Sequence, residues 1–121
     1  MEQEELIVTR KITEEESAKF VGSGGLPVYS TPSMIAFMEE TCFTLVQNEL
    51  EEGFSTVGSH ITVDHLKAVK IGEAVKCRAL LINKEDKKLT FNVEVYHNDI
   101  LIGKAFHIRY IVSIEKFLSK L

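Results

Sequence analysis

Two adjacent glutamates, Glu39 and Glu40, lie in a segment that is otherwise apolar, YSTPSMIAFMEE. Steps of three or four residues mark one face of a helix, and they assign the two carboxylates to different faces. The positions that share a face with Glu40 are mostly polar: Ser33, Ala36, Thr44, Gln47 and Glu51. The positions that share a face with Glu39 are apolar: Ile35, Cys42, Phe43 and Val46. We therefore expect Glu40 in solvent and Glu39 directed inward or into a cleft.

A carboxylate in an apolar cleft is costly to bury, so it is either paired or functional. In such a place it can act as a nucleophile or as a general base toward water. The plainer alternative for Glu39 is a border position, from which the carboxylate reaches water or pairs with an arginine. The helix pattern alone leaves both interpretations open.

The segment TVGSHITVDHL predicts a strand, in which alternate residues share a face. One face holds His65 with small or apolar residues: Val57, Ser59, Ile61 and Val63. The other face holds His60, Thr62 and Asp64. His65 is therefore expected on the apolar face, either as a core histidine or as a proton-transfer group.

The remaining histidines indicate no metal site. His97 falls at a predicted turn, and His107 shares a strand face with Arg109, so either is compatible with a structural role. His60 and His65 face opposite ways and no HExxH motif occurs, so no histidine pair has metal-ligand spacing. We expect no metal and no cofactor other than the substrate's own groups.

Composition limits the class of protein. A chain of 121 residues is long enough for one core and too short for two ordinary domains, which predicts one domain over residues 1–121. The hydrophobic content of 45% and charged content of 26% are those of a globular protein. Cys42 and Cys77 lie singly in apolar patterns, which predicts buried thiols rather than a disulfide or zinc site.

Charge and hydropathy indicate which partners to exclude. The net charge is −4 and the densest basic stretch is KEDKK, so we expect no nucleic-acid partner. No apolar run approaches the roughly 20 residues of a membrane span. The first residues, MEQEELIVTR, are acidic and lack a basic-then-apolar signal. We expect no membrane insertion and a cytoplasmic location.

Several local signals predict the elements that would position these residues. ELIVTRKIT predicts a strand, and Thr13 opens a capping box for a short helix that stops at Gly22. The Gly-rich stretch 22–27 lacks the Lys-Ser/Thr of a phosphate loop and predicts a mobile flap. The long helix is predicted to start with Thr31 as N-cap and Pro32 at its first position, and to run to about Glu52 before Gly53.

From Phe54 onward the pattern predicts strands at about 56–69, 74–83, 88–97 and 100–113, arranged as an antiparallel meander. The first turns of the long helix are almost entirely apolar, so a sheet must cover it. The expected fold is α+β, a hotdog fold in which a curved antiparallel β-sheet wraps one long central helix. A cystatin-like or other α+β roll fits the same pattern. An exposed sheet edge favours a homodimer or a higher homo-oligomer.

Three segments, STPSMIAFMEE, VGSHITVDH and HIRYIVSIEKF, resemble blocks of the fluoroacetyl-CoA thioesterase-like family of hotdog proteins. The similarity spans about residues 29–117. The shared motifs are a Thr-Pro at the start of the central helix, a Glu two turns on, a Gly followed by a His on the next strand, and a late-strand Arg.

The resemblance implies roles for five residues. Thr31, Glu39 and His65 match the catalytic Thr, Glu and His of the family, Gly58 matches the glycine that lines the thioester site, and Arg109 matches the late-strand arginine. The family's sites form at a dimer interface, which implies that Glu39 and His65 come from different subunits. The implied activity is hydrolysis of a small acyl-CoA, with coenzyme A as a product and as part of the substrate.

The stretch before the Thr departs from the family. The founding activity of the family depends on a Phe-containing lid, whereas this chain has the shorter FVGSGGLPVYS, with Phe20 and Tyr29 as its only aromatic residues. The sequence therefore predicts a general small-acyl-CoA thioesterase rather than one specific for a fluorinated acyl group.

Three alternatives fit the same residues. The protein could be an acyl-thioester dehydratase or hydratase that uses a carboxylate/His pair for proton abstraction. It could be a non-catalytic acyl-CoA-binding hotdog protein. It could also be a structural domain, in which Thr31 is only an N-cap, Glu39 a border charge and His65 a core residue.

Overall fold

A computed structural model describes all 121 residues of the chain. Five strands form one antiparallel sheet: β1 (Glu5–Lys11), β2 (Phe54–His65), β3 (Ala74–Glu85), β4 (Lys88–His97) and β5 (Ile100–Ser113). Three α-helices accompany it: α1 (Ala18–Val21), α2 (Thr31–Gln47) and α3 (Ile114–Ser119), with a 3₁₀ turn at Glu14–Glu16 before α1. All the strands expected from the sequence are present, with ends shifted by a few residues.

The strand order is β1-β3-β4-β5-β2. Strands β3, β4 and β5 form a meander, and the β4–β5 turn contains Asn98 and Asp99 at φ of 47° and 63°. The prediction of a continuous meander from β2 onward is wrong, because β2 pairs with β5 and lies at an edge of the sheet. Alternation of polar and apolar residues specifies which face of a strand is buried, but it does not specify the neighbouring strand.

The segment between β2 and β3 crosses to the far part of the sheet and passes the start of α2. Val69 is 3% exposed, and its carbonyl accepts a hydrogen bond from the Tyr29 backbone N–H at 2.8 Å. An isolated bridge between Val28 and Lys70 adds a second tie. These contacts attach the residues before α2 to the chain that follows β2, and so bring the start of the helix to the end of that strand.

The N-cap residue of helix α2 lies one position earlier in the chain than predicted. The N-cap is Ser30, whose hydroxyl accepts from the Ser33 backbone N–H at 3.2 Å, and Thr31 is the first helical residue. The helix ends at Gln47 rather than near Glu52, and the chain then turns into β2 through Gly53 at φ +90°. A left-handed conformation suits glycine, so Gly53 marks a turn after the helix instead of its direct cap.

The helix packs its apolar face on the concave side of the sheet, as expected for a sheet that covers it. Phe37, Met38, Cys42 and Leu45 are each no more than 1% exposed. Burial of side chains of this size contributes about 1.5–3 kcal/mol each. The sheet supplies the other half of this core: Val75, Cys77, Ala79, Leu89, Phe91, Val93, Val95 and Ile102.

The shorter elements follow their predictions in part. The capping box at Thr13 is present, and Gly22 ends α1 at φ +87°, but Ser17 interrupts the short helix through a bridge to Tyr29.

Cys42 and Cys77 are buried free thiols, and burial raises the pKa of both. None of the three helices combines the length and the apolar composition that a membrane span requires.

Candidate functional site

Thr31 and His65 meet where the start of α2 reaches the end of β2. Because Ser30 caps the helix, the Thr31 hydroxyl is free for another partner, and Thr31 Oγ1 shares a hydrogen bond of 2.7 Å with His65 Nδ1. A cavity of about 310 Å³ opens beside the pair, lined also by Ser23, Leu66 and Lys67. The role of Thr31 as a cap is therefore wrong, and the hydroxyl is available for chemistry.

The second nitrogen of His65 has no well-formed hydrogen bond within the chain. His65 Nε2 is buried and makes no hydrogen bond, although buried polar atoms are usually paired. Burial lowers the pKa of His65, and the Lys67 backbone opposes this effect. The ring is therefore neutral at pH 7, so one nitrogen can accept a proton while the other donates.

Glu39 lies on α2 eight residues after Thr31, which is about 12 Å along the helix axis. Its side chain is 40% exposed, and Oε2 lies 3.9 Å from Arg109 Nη1. That distance is beyond a hydrogen bond but close enough for electrostatic attraction. Glu39 thus lies at the border of the core, with its carboxylate directed toward the sheet.

Gly58 faces this carboxylate because β2 contains a bulge. Gly58 pairs with Arg109 and His60 pairs with Ile108, so Ser59 is the extra residue. Strict alternation predicted Val57 on the face of His65; instead Val57 pairs with the exposed Tyr110, and Gly58 faces the helix. A Cβ at Gly58 would lie 3.0 Å from Glu39 Oε2 and 3.2 Å from Arg109 Nη1.

Arg109 is buried and held by three hydrogen bonds. Its Nε donates to Thr56 Oγ1 at 2.9 Å, its Nη2 to the Thr56 carbonyl at 3.1 Å, and its Nη1 to His107 Nε2 at 3.1 Å. The guanidinium also lies 5.7 Å from the centre of the Phe43 ring. Burial lowers the pKa of Arg109, with Cys42 and Glu39 acting in the opposite direction. The guanidinium remains positively charged, and its three hydrogen bonds hold it in one position.

The structure thus brings the predicted residues together in two clusters. Thr31 and His65 form one, and Glu39, Gly58 and Arg109 form the other. No hydrogen bond or ion pair within the chain joins the two clusters. The sequence prediction missed Thr56, which holds Arg109. It noted His107 only as a residue that shares a strand face with Arg109 and is compatible with a structural role.

Two further features help to delimit the site. No group of three or more His, Cys, Asp or Glu side chains is placed to hold a metal ion. A larger cavity of about 410 Å³ lies elsewhere, lined by outward residues of four strands that include Asp64, Arg78, Glu94 and Lys104. It contains none of the residues of the two clusters.

Comparisons with known proteins agree with the resemblance seen in the sequence. A family model described as fluoroacetyl-CoA-specific thioesterase matches residues 12–115. A fluoroacetyl-CoA thioesterase from Streptantibioticus cattleyicolor is 31% identical over 93 residues, which cover 77% of this chain and 67% of that protein.

Solved structures extend the similarity to the fold. A structure of the fluoroacetyl-CoA thioesterase superposes with a TM-score of 0.90 at 25% identity, covering 98% of this chain and 92% of that one. A hypothetical protein from Thermus thermophilus, described as a thioesterase superfamily member, gives 0.89 at 27% identity, with coverage of 99% and 89%. A hot-dog-like protein from Thermanaerovibrio acidaminovorans gives 0.88 at 16% identity, with coverage of 96% and 86%, and shows the fold alone. The hotdog fold is confirmed.

Proposed function

This chain belongs to the fluoroacetyl-CoA-specific thioesterase family, and we propose that it hydrolyses a small acyl-CoA thioester to a free acid and coenzyme A. Membership makes the protein an acyl-CoA thioesterase; the acyl group, the residue roles and the shared dimer site are our proposals. The observation that carries them is the approach of Glu39 Oε2 and Arg109 Nη1 to Gly58, within 3.0 and 3.2 Å of where a Cβ would be.

Glu39 is the proposed nucleophile or general base. As a base, its carboxylate takes a proton from water while the water oxygen bonds to the thioester carbonyl carbon. As a nucleophile, it bonds to that carbon directly and forms an anhydride that water then opens. In both routes the C–S bond breaks when the tetrahedral intermediate collapses, and the thiolate of coenzyme A leaves.

His65 and Thr31 are the proposed proton-transfer pair. A neutral imidazole bonded to Thr31 through Nδ1 has Nε2 free to exchange a proton with the reacting groups. We assign His65 the transfer of a proton in two steps: its neutral ring first accepts the proton that Glu39 or the attacking water releases, and it then delivers that proton to the departing thiolate. Thr31 orients the imidazole or the thioester oxygen. The reaction uses only water and the thioester, so it needs no cofactor beyond the coenzyme A of the substrate.

The oxyanion that forms at the carbonyl carbon needs donors in fixed positions. Backbone N–H groups beside the bulge at Gly58 are candidates, because a bulge leaves a residue out of the regular ladder. The start of α2 is another, because a helix N-terminus carries about half a positive charge. Arg109, the nearest fixed cation to Gly58, is the proposed substrate-binding residue.

We further propose that the working unit is a homodimer with each site shared between subunits. In one chain Thr31 and Glu39 are about 12 Å apart along the helix axis, and His65 Nε2 has no well-formed hydrogen bond. Strand β2 spans twelve residues at an uncovered sheet edge, which favours pairing with a second copy. We propose that antiparallel pairing across this edge brings His65 of one subunit near Glu39 of the other.

The acyl group is proposed to be small and not specifically fluorinated. Of the two aromatic residues before Thr31, Tyr29 is 2% exposed and part of the core, so only Phe20, at 66% exposed, is free to cover a site. The exposed stretch 22–27 contains no aromatic side chain. A lid that packs aromatic groups on the acyl chain is therefore not available from this segment alone.

The test is release of free thiol from a panel of short- to medium-chain acyl-CoAs that includes fluoroacetyl-CoA. Wild type should release thiol from at least one member, and Glu39→Gln and His65→Ala should abolish release while remaining folded. Tight binding of an acyl-CoA without thiol release would identify a binding protein instead. Addition of water across an enoyl thioester without thiol release would identify a hydratase.

A further inference from the structure

His107 is the most deeply buried histidine, at 1% exposed, and both nitrogens of its ring have hydrogen-bond partners. Its Nδ1 lies 2.7 Å from the His60 carbonyl oxygen, and its Nε2 lies 3.1 Å from Arg109 Nη1. Phe91 packs against the ring, with 6.0 Å between ring centres. The Cε1 atom lies 3.2 Å from where a Cβ at Gly58 would be.

These partners determine the protonation state of the ring. A carbonyl oxygen only accepts, so Nδ1 carries the proton and donates it to the His60 carbonyl. An arginine only donates, so Nε2 is unprotonated and accepts from Arg109 Nη1. His107 is therefore neutral in one tautomer, and burial lowers its pKa in the direction that keeps it neutral.

Arg109 consequently has neutral acceptors on three sides. Thr56 Oγ1, the Thr56 carbonyl and His107 Nε2 take three of its five N–H donors. The nearest carboxylate, Glu39, stays 3.9 Å from Nη1 although opposite charges this close attract each other. The three hydrogen bonds direct the guanidinium to Thr56 and His107 rather than to Glu39.

We propose that His107 is a positioning residue that, together with Thr56, holds the Arg109 guanidinium away from Glu39. The carboxylate then stays free for water or for the thioester carbonyl, and Nη1 of Arg109, which has one unpaired N–H, stays beside the space at Gly58. Without the Nε2 acceptor, the guanidinium would move to Glu39 and occupy the carboxylate that the reaction needs. The predicted effect of His107 on turnover rests on the proposed function. Its predicted effect on the position of the Arg109 guanidinium is independent of that function.

The substitutions His107→Gln and His107→Met separate positioning from packing. Both give up the aromatic ring, and both have flexible side chains of similar length, but only glutamine can place an acceptor near the position of Nε2. We expect His107→Met to lower kcat/KM at least tenfold, and His107→Gln to recover most of that loss. His60→Ala is the control, because His60 contributes only its backbone carbonyl and its exposed ring contacts Thr62 and Phe106.

A double-mutant cycle with Arg109→Lys tests whether His107 acts through Arg109. If it does, adding His107→Met to Arg109→Lys lowers kcat/KM no further. Equal losses in the Gln and Met variants, or a tenfold loss from His107→Met that persists in the Arg109→Lys background, would overturn the proposal and leave His107 a packing residue.

Crystal structures of the folded variants give a readout that does not need turnover. In His107→Met the distance between Arg109 Nη1 and Glu39 Oε2 should fall below 3.5 Å, while in His107→Gln it should stay near its present value. If the distance does not change in His107→Met, the positioning role is wrong even if activity falls. If wild type hydrolyses no acyl-CoA, the proposed function fails and this distance alone decides the role of His107.

Discussion

Glu39 and Glu40 are adjacent in the chain but have different surroundings. Glu40 is 58% exposed and pairs with Arg10 on the outer surface of α2. Glu39 faces the sheet, where its carboxylate meets Gly58 and Arg109. A carboxylate with an incompletely formed ion pair, on an otherwise apolar face, is the arrangement expected of a reactive group.

The first prediction concerns this pair of carboxylates. Glu39→Gln should lower thiol release by a factor of about 10²–10⁴, the usual contribution of a general base, and should leave the fold intact or slightly more stable. Glu40→Gln is the matched control and should keep turnover, with at most about 1 kcal/mol lost from the free energy of unfolding. Unfolding of Glu39→Gln, seen by circular dichroism, would instead indicate a structural ion pair with Arg109.

The second prediction separates capping from chemistry at the start of α2. Thr31→Val removes the hydroxyl bonded to His65 and should lower kcat by tenfold or more with little change in stability. Ser30→Ala removes the cap and should cost about 1 kcal/mol of stability while keeping kcat. Steady-state kinetics and urea unfolding of both variants test this. The opposite pattern would mean that Thr31 acts only as part of the helix terminus.

The third prediction concerns the space at Gly58. Gly58→Ala adds a methyl group 3.0 Å from Glu39 Oε2 and 3.2 Å from Arg109 Nη1, so turnover should fall by tenfold or more as these groups are displaced. Gly103→Ala is the comparison for stability, because its methyl group would lie 2.6 Å from Cε and Sδ of the buried Met34. It should lower the free energy of unfolding by about 1–3 kcal/mol, because the added methyl group overpacks the core. Unchanged kinetics in Gly58→Ala would exclude Gly58 from the site.

The fourth prediction concerns a site shared between subunits. Glu39→Gln and His65→Ala should each be inactive, yet a heterodimer of the two contains one intact site if Glu39 and His65 come from different subunits. Equal mixing then restores about a quarter of the wild-type sites, because about half of the dimers are mixed and each has one intact site of two. Unfolding and refolding the mixture together, followed by a thiol assay, measures the recovery. No recovery would mean that each site lies within one subunit.

The fifth prediction concerns stability and pH. Burial lowers the pKa of His107 in the folded protein, and the neighbouring Arg109 acts in the same direction, while in the unfolded chain the pKa is about 6.5. Below pH 6.5 the unfolded state therefore binds a proton that the folded state does not. The free energy of unfolding should fall as the pH drops from 6.5, with a slope of up to about 1.4 kcal/mol per pH unit from this group.

Urea unfolding at pH 7.5, 6.5 and 5.5 measures this effect, and most of the loss should fall in the interval below 6.5. His107→Gln has no titrating ring and should show a shallower decline. The decline should not vanish, because burial also lowers the pKa of His65 and that histidine contributes in the same direction. An identical decline in wild type and His107→Gln would assign the effect to other groups.

The sequence alone determined the features that depend on local chemistry. Helical spacing assigned Glu39 to the apolar face and Glu40 to solvent, because the periodicity of a helix decides which side chains share a side. Alternation assigned His65 to the concave face, and the Thr-Pro signal located the start of α2 to within one residue. The motifs around Thr31, Gly58 and Arg109 were sufficient to indicate the thioesterase family, because a family motif is a property of residue types and their order.

The tertiary structure decided the features that depend on distant residues. Strand pairing placed β2 beside β5, and the bulge at Ser59 directed Gly58 toward the helix, which strict alternation did not predict. Because Ser30 caps the helix, the Thr31 hydroxyl can bond to His65, which is 34 residues away in sequence. Thr56, 53 residues from Arg109, and His107 fix the guanidinium beside Glu39. Spacing along a chain carries no information about contacts across this separation, because they form only when the sheet and helix pack together.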